Sequence, residues 1–182
     1  GVQTCALPIS LALDETTALV NLGASVMNVN IIRGGVSLFT RDIPLGGNRY
    51  TEAIQREMGL SYEEAEEVKK GERSGKAASG SVESVIDSVN GEVASEIART
   101  VDYFKTSASN VGLDRVLVCG GVARASGLVQ QLSDRMQTPV EVANPFGEID
   151  TSGSDFDQDA LAEMAPLASV AVGLALRSVG DR

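Results

Sequence analysis

Residues 45–54 read LGGNRYTEAI, and this glycine turn at the start of a helical pattern decides how the rest of the chain is interpreted. Residues 65–70, AEEVKK, place acidic and basic side chains on the next predicted helix, and residues 119–123, CGGVA, form a second glycine turn after an apolar strand. Glycines let a backbone approach a ligand closely, and helix N-termini favour anions. The three segments in this order indicate nucleotide handling, which none of them indicates alone.

The composition is that of a globular domain and excludes several kinds of site. The chain has 182 residues, of which 43% are hydrophobic and 22% charged, enough for one domain-sized core. Its formal net charge of -10 argues against sequence-independent nucleic-acid binding, which needs clustered Lys and Arg. There is no histidine, and Cys5 and Cys119 are the only cysteines, so Ser-His-Asp triads, Cys-His pairs and the usual zinc sets are excluded within the chain.

The sequence also bears on membrane contact. No apolar stretch approaches the roughly 20 residues that a membrane-spanning helix needs. We therefore expect no direct membrane insertion, and any membrane contact would go through a partner.

The first nine residues, GVQTCALPI, look like the in-frame translation of a sequencing adapter. We expect residues 1–9 to be an artefact, the true fragment to start at Ser10, and an N-terminal part of the natural protein to be missing. Sequencing the source locus tests this expectation, because clean DNA that still encodes these residues upstream of Ser10 would refute it.

Short apolar bursts predict the strands. Gly34 and Gly35 tolerate the positive φ that a two-residue hairpin needs, so the bursts around them predict an antiparallel meander of three strands. Residues 115–119 predict a strand covered on both faces, and residues 139–142 predict another strand. The three bursts of the meander are residues 18–20, 26–32 and 36–39.

Apolar residues at helical spacing predict the helices. We expect Asn48 or Thr51 to cap the first helix, and Ser61 with Glu64 forms a capping box for the second. Residues 71–81 are rich in Gly, Ser and charge and predict a mobile linker. The predicted helices cover residues 48–58, 62–70, 82–111, 125–136 and 159–177.

The turn at residues 21–25, NLGAS, is a candidate phosphate site. Its backbone amides and the Ser25 hydroxyl would face phosphate oxygens. The alternative is an ordinary hairpin whose glycine is needed for a positive φ, and without context that alternative is favoured.

Two further candidates each have a plain alternative. Glu66 and Lys69 lie three apart on one helical face and would address the same ribose or base, but such pairs are more often solvated salt bridges. Gly120 and Gly121 would place amides at a helix N-terminus, although most such turns merely pack a helix on a sheet. No G-x-G-x-x-G fingerprint supports a dinucleotide-binding fold, and residues 71–77, GERSGKA, lack the spacing and the hydroxyl of a P-loop.

Together, these segments resemble the second lobe of the actin-like ATPase (FtsA-like) superfamily, and specifically the PilM family of type IV pilus assembly proteins. The resemblance covers nearly all of residues 17–177. Its most specific segments are residues 18–25 (ALVNLGAS), 39–42 (FTRD), 46–47 (GG) with the following helix, 120–121 (GG), 143–146 (ANPF) and 173–177 (GLALR).

The resemblance implies an α/β fold, the ribonuclease H-like second lobe, in which parallel strands extend a three-strand antiparallel meander. Residues 10–47 and 112–158 would form the core of this lobe. Residues 48–111 would form an inserted, mainly helical subdomain, and residues 159–182 a helix that returns to the missing first lobe.

The resemblance also implies ATP and Mg²⁺ as ligands. Many relatives have Asp where this chain has Asn21, and that Asp helps to hold magnesium or the attacking water. An amide coordinates a metal weakly and cannot act as a base, so we expect a metal contact at Asn21, no catalytic residue, and nucleotide binding rather than efficient hydrolysis. The implied nucleotide contacts are Asn21, Gly23, Ala24 and Ser25 in the second phosphate loop, Gly47, the pair Glu66 and Lys69, and Gly120, Gly121, Val122 and Ala123 in the adenosine loop.

By the same resemblance, the function would be that of an ATP-binding cytoplasmic scaffold, peripheral to the inner membrane, whose lobe closure presents a surface to a PilN-like inner-membrane protein. Homo-oligomerisation stays open. The alternatives are an active actin-like ATPase, an FtsA-like filament former of cell division, and a sugar kinase of the same superfamily. The first phosphate loop would lie upstream of Ser10, so we expect the 182-residue chain alone to bind ATP poorly and to be inactive.

Overall fold

A computed structural model describes residues 14–72, 79–108, 111–147, 149–150 and 157–176. Some predictions concern residues outside these ranges. They are the artefact at residues 1–9, most of the linker at residues 71–81 with the P-loop-like segment 71–77, and the end of the last helix at residue 177. Within the described residues, helices accompany a single five-stranded sheet.

The sheet confirms the predicted topology. Its strand order is β3-β2-β1-β4-β5. Strands β1, β2 and β3 form the antiparallel meander, β4 runs parallel to β1, and β5 runs parallel to β4. The strands are β1 Thr16–Leu22, β2 Met27–Arg33, β3 Val36–Ile43, β4 Arg115–Cys119 and β5 Val140–Val142.

The hairpin between β2 and β3 has the predicted turn and one irregularity. Gly34 and Gly35 have φ values of 56° and 77°, the left-handed conformation that a two-residue hairpin needs. Ile32 pairs with Ser37, but Ile31 pairs with Phe39, so the pairing shifts by one residue at a β-bulge. The bulge moves every later residue of β3 by one position along β2.

The helices agree with the predicted ones to within two residues except at three boundaries, one of which is the end of the third helix, predicted at residue 111 and found at Ser107. The helix expected to begin at residue 125 begins at Leu128, because Gly127 before it has a φ of 79° and the preceding Gly121–Arg124 segment forms a 3-10 turn. The third helix begins at Ser79 rather than at residue 82. The helices are α1 Gly47–Met58, α2 Tyr62–Lys70, α3 Ser79–Ser107, α4 Leu128–Met136 and α5 Gln158–Ala175.

The two helix starts in the inserted segment are capped differently. The capping box of α2 is confirmed, since Ser61 Oγ accepts from the Glu64 amide at 3.2 Å and Glu64 Oε2 accepts from the Ser61 amide at 2.9 Å. The prediction that Asn48 or Thr51 caps α1 is wrong, because Gly46 is the residue that precedes the helix and no side chain caps it. Carbonyl groups from a distant turn take the place of that cap.

The main core lies between one face of the sheet and α3. Ala18, Val20 and Leu22 of β1 face this side, and the inserted segment shares the core through residues of α3. A smaller cluster on the opposite face contains Leu19, Ile32, Leu117, Cys119 and Ala143. Among the described residues, no helix combines the length and the apolar character that a membrane crossing needs.

Candidate functional site

The glycine segments singled out in the sequence meet at the start of α1. The amides of Gly47 and Asn48 donate to the carbonyl groups of Gly23 and Ala24 at 2.9 and 2.8 Å. A Cβ atom added to Gly46 would lie 2.5 Å from the Gly23 oxygen and 2.7 Å from the Ala24 oxygen. The turn after β1 is therefore joined directly to the turn that opens α1.

The third glycine segment, the turn after β4, packs against the start of α1 from another side. A Cβ atom added to Gly47 would lie 3.2 Å from Val122 Cγ2, which belongs to the 3-10 turn after β4. Gly120 before that turn has a φ of 89°, and a Cβ atom there would lie 2.4 Å from the Leu22 oxygen. Its amide donates to the Pro166 oxygen of α5 at 2.7 Å. Gly120 thus has to be glycine for both conformation and space.

Gly121 is different from Gly120, because it is exposed and has room for a side chain. Within the described ranges, a Cβ atom there would contact only Leu167 Cδ2, at an ordinary 3.7 Å. Val122 and Ala123, the other predicted contacts in this loop, are buried. The exposed backbone of Gly121 is therefore the part of this loop that a ligand can approach most closely.

The turn at residues 23–26 presents unused donors. The Gly23 amide donates to the Val26 oxygen at 3.2 Å, but the amides of Ala24 and Ser25 donate to no acceptor in the part of the chain that the structure describes, and both residues are exposed. The alternative that a positive φ requires the glycine at position 23 is wrong, because Gly23 does not have a positive φ. Space requires the glycine, since a Cβ atom would lie 2.8 Å from the Val26 oxygen. Two free amides in one tight turn suit an anion such as phosphate.

The Ser25 hydroxyl already has a partner within the protein. Ser25 Oγ accepts from Asn48 Nδ2 at 3.2 Å, and Asn48 Oδ1 accepts from the Tyr62 hydroxyl at 3.4 Å. These bonds link the turn to the starts of both α1 and α2.

Asn21, the predicted metal contact, belongs to a row of polar side chains. Its Nδ2 donates to Asn28 Oδ1 at 3.3 Å, and Asn28 Nδ2 donates to Asp42 Oδ1 at 2.7 Å. Asn21 Oδ1 lies 3.7 Å from Cys119 Sγ and would be 2.8 Å from a Cβ atom at Gly120. The amide oxygen of Asn21 therefore faces the glycine loop. Sequence reasoning assigned no role to Asn28 or Asp42, although Asp42 belongs to the segment 39–42 that carries the family resemblance, because other polar side chains occur in the same two strands.

Glu66 and Lys69 form a compact cluster with Thr51. Lys69 Nζ donates to Glu66 Oε2 at 2.6 Å, to Thr51 Oγ1 at 2.9 Å and to the Gly47 oxygen at 3.4 Å. Thr51 Oγ1 donates to Glu66 Oε2 at 2.6 Å. The side chains of Glu66 and Lys69 are only 27% and 23% exposed, so the pair is not a fully solvated salt bridge. It ties α2 to the first turn of α1.

The charge of Glu66 reflects these contacts. Burial alone would raise the pKa of its carboxyl group, but hydrogen bonds from Lys69 and Thr51 and the positive charges of Lys69 and Lys70 outweigh burial and lower the pKa. Glu66 is thus held as a carboxylate beside the ammonium group of Lys69.

The residues present offer hydrogen-bond donors for the phosphates of a nucleotide, but few ligands for its metal ion. The free amides of Ala24 and Ser25 match the acceptors of a polyphosphate, whereas the ammonium group of Lys69 is already paired with Glu66. For a metal, Asn21 Oδ1 offers one neutral oxygen, and no group of three or more His, Cys, Asp or Glu in the described part of the chain could hold an ion. A magnesium ion would therefore be coordinated mainly by phosphate and water oxygens.

Comparison with known proteins bears on the fold and the family. A family model described as "Type IV pilus assembly protein PilM" matches residues 3–179. In the solved "PilM-PilN type IV pilus biogenesis complex", the matching chain is 29% identical with a TM-score of 0.77, over 93% of this chain and 47% of that one.

Two more distant structures show the fold alone. MreB5 of Spiroplasma citri bound to ADP is 16% identical with a TM-score of 0.68, over 96% of this chain and 56% of that one. Ta0583, an archaeal actin homolog, is 9% identical with a TM-score of 0.61, over 89% of this chain and 47% of that one. The expected actin-like fold is confirmed, and the chain spans about half the length of these proteins.

Proposed function

Because the chain belongs to the PilM family of type IV pilus assembly proteins, we propose that it contributes one lobe of an ATP-binding scaffold whose closure presents a surface to a PilN-like inner-membrane protein. The observation that carries the nucleotide part is the meeting of three glycine turns beside Gly47, with two free amides at its edge. The partner part rests on the similar structure, which is a PilM-PilN complex. This scaffold would lie on the cytoplasmic side of the inner membrane.

Each segment of the site has a role in this proposal. The amides of Ala24 and Ser25 would donate to phosphate oxygens, and Asn21 Oδ1 would face the metal. Gly121 would lie against the adenosine, and the Glu66–Lys69 pair would face the ribose or base from α2. Bound ATP and Mg²⁺ would supply the charge and the coordinating oxygens that link this lobe to the other half of the protein.

The contacts at the start of α1 explain how the lobe would respond to a ligand. The turn at residues 23–26 holds Gly47 and Asn48 through backbone hydrogen bonds, and Lys69 holds the same first turn of α1 from α2. A ligand that orders the turn therefore also acts on both helices. ATP would shift the lobe equilibrium only through its different affinities for the open and closed arrangements. Asn21 cannot act as a base, so no hydrolytic step is assigned to it, and ATP binding alone would shift the equilibrium.

Nucleotide binding is tested by filling the space at Gly121 in the full-length natural protein. Gly121→Val adds a side chain where there is room for it, so we expect unchanged stability and an ATP affinity lowered about tenfold or more, measured by titration calorimetry with Mg²⁺. Gly112→Val is the matched control, because among the described residues nothing lies within 4 Å of a Cβ atom there, and Gly112 precedes the end of β4 that lies away from the site. Absence of ATP binding by the wild-type protein, or equal affinities of the two variants, would refute the nucleotide site.

The coupling is tested separately with the cytoplasmic segment of the PilN-like partner. We expect the full-length protein to bind this segment more tightly with ATP and Mg²⁺ than with neither, and Gly121→Val to lose most of that difference. Equal partner affinity with and without nucleotide would reject coupling and leave a nucleotide-independent scaffold.

A further inference from the structure

Three polar side chains lie next to one another on neighbouring strands, on the face of the sheet opposite the main core. Asn21 of β1 pairs with Asn28 of β2, and Asn28 pairs with Asp42 of β3. On its other side, Asn21 pairs with Cys119, which belongs to the smaller cluster on this face. The row therefore runs from the exposed edge strand to the edge of the candidate nucleotide site.

The hydrogen bonds along this row can run in one direction only, because the side chain at one end is a carboxylate. Asp42 Oδ1 can only accept, so Asn28 must turn its Nδ2 toward it, at 2.7 Å. Asn28 Oδ1 is then left to accept from Asn21 Nδ2, at 3.3 Å. This leaves Asn21 Oδ1 facing Cys119 and Gly120. An asparagine amide has no intrinsic orientation, and its hydrogen-bond network decides which end points where.

We propose that Asp42 is a positioning residue that acts through Asn28 to keep the amide oxygen of Asn21, rather than its NH₂ group, facing the nucleotide loop. This inference rests on the proposed nucleotide site, since the oxygen would face the metal there. A flipped Asn21 would present two N–H donors, which repel a cation and cannot coordinate it. Asp42 thus makes a neutral side chain at position 21 usable as a metal contact.

The decisive comparison is ATP affinity with Mg²⁺ and with EDTA, measured by titration calorimetry on the full-length protein. In Asp42→Ala, Asn21 loses its preferred orientation, and because the Asn28–Asp42 hydrogen bond is exposed to solvent, its loss corresponds to about the effect of an ordinary hydrogen bond, roughly threefold to tenfold. We therefore expect the ATP affinity to be about threefold to tenfold weaker with Mg²⁺ and nearly unchanged with EDTA. A merely structural role would lower both affinities together.

A rescue variant tests the direction of the row. In the double variant Asn28→Asp with Asp42→Asn, a carboxylate at position 28 replaces the Asn28 amide oxygen as the acceptor for Asn21 Nδ2, so the Asn21 oxygen keeps its orientation. We expect this variant to regain the Mg²⁺-dependent affinity that Asp42→Ala loses. Glu141→Ala is the control for lost negative charge, because Glu141 pairs with Leu117 and lies on the same face near the other edge of the sheet.

Side-chain amide NMR of the nucleotide-free full-length protein gives a readout that does not depend on ligand. The Asn21 NH₂ signals should be protected from solvent exchange in the wild type and in the double variant, and lose that protection in Asp42→Ala. Equal affinities of wild type and Asp42→Ala with Mg²⁺, equal losses with and without Mg²⁺, or a double variant that is not rescued would each overturn the role of Asp42. If the wild type binds no ATP, the proposed function fails, and the NMR signals still decide whether Asp42 orients Asn21.

Discussion

Gly46→Ala tests whether the junction between the turn after β1 and the start of α1 is as tight as the structure indicates. The added Cβ atom would lie 2.5 Å from the Gly23 oxygen, 2.7 Å from the Ala24 oxygen and 2.8 Å from the Ala24 carbonyl carbon. All three are backbone atoms, which cannot rotate away as a side chain can. The turn and the helix must therefore move apart.

The magnitude follows from what that movement breaks. Gly46 has a φ of -168°, an extended conformation that alanine also adopts, so no backbone strain is added. Separation breaks the hydrogen bonds from Gly47 to Gly23 and from Asn48 to Ala24, worth about 1 kcal/mol each, and exposes the first turn of α1. We expect a loss of about 3 kcal/mol in unfolding free energy, which in a chain of this size lowers Tm by about 6–12 °C.

Urea and thermal unfolding of the 182-residue chain measure the effect. Gly91→Ala is the matched control, because Gly91 lies in the interior of α3 and the added methyl group would meet Gln131 Oε1 at an ordinary 3.9 Å. Alanine is the better helix former, so this control should gain about 0.5–1 kcal/mol. If the unfolding free energy of Gly46→Ala lies within about 0.5 kcal/mol of the wild-type value, the turn does not hold the helix and the reasoning is wrong.

Other expected outcomes follow from single contacts. Tyr50→Phe removes the donor 2.8 Å from the buried Asn90 Oδ1, and leaving that acceptor unpaired should lower unfolding free energy by about 1–3 kcal/mol in urea. The lowered pKa of Glu66 means that its stabilisation is present above the usual value of 4.5 and is lost as pH falls through the lower folded pKa; acid titration of Lys69→Met should therefore show a smaller loss of stability than wild type. Met164, Leu167 and Leu174 of α5 are 47%, 55% and 52% exposed, so this apolar surface should favour self-association of the 182-residue chain, and Leu167→Glu should lower it in sedimentation experiments.

Each of these outcomes has a control. Tyr103→Phe changes a tyrosine that is 60% exposed and should leave stability unchanged, so an equal loss in both phenylalanine variants would contradict the buried hydrogen bond. Lys70 lies 3.9 Å from Glu66, so Lys70→Met should alter the acid titration less than the change at Lys69 does. Val36→Glu removes another exposed apolar residue, on β3; if it lowers self-association as much as Leu167→Glu, the α5 surface is not specific.

Most elements could be predicted because their signals are local. The glycine pair at the hairpin needs positive φ at both positions, and the capping box of α2 lies within four residues. Gly59 and Gly71 end α1 and α2 in the left-handed conformation, as glycines after helices commonly do. Each signal depends on residues that are neighbours in the chain, so one sequence contains all the information that it needs.

Contacts between distant segments were the part that could not be predicted. The acceptors at the start of α1 are the Gly23 and Ala24 carbonyl groups, and no pattern around Gly47 indicates which distant carbonyls lie nearby. For the same reason, spacing alone placed Glu66 and Lys69 on one face but could not show that Thr51 joins them.

The polar row depends on a feature that neither composition nor alternation predicts. A regular two-residue hairpin that pairs Arg33 with Val36 would place Arg41 opposite Asn28, whereas the bulge places Asp42 there. Arg41 can only donate and Asp42 can only accept, so the two registers demand opposite orientations of the Asn28 amide and hence of Asn21. The one-residue irregularity in β3 therefore decides whether an oxygen or an NH₂ group of Asn21 faces the glycine loop.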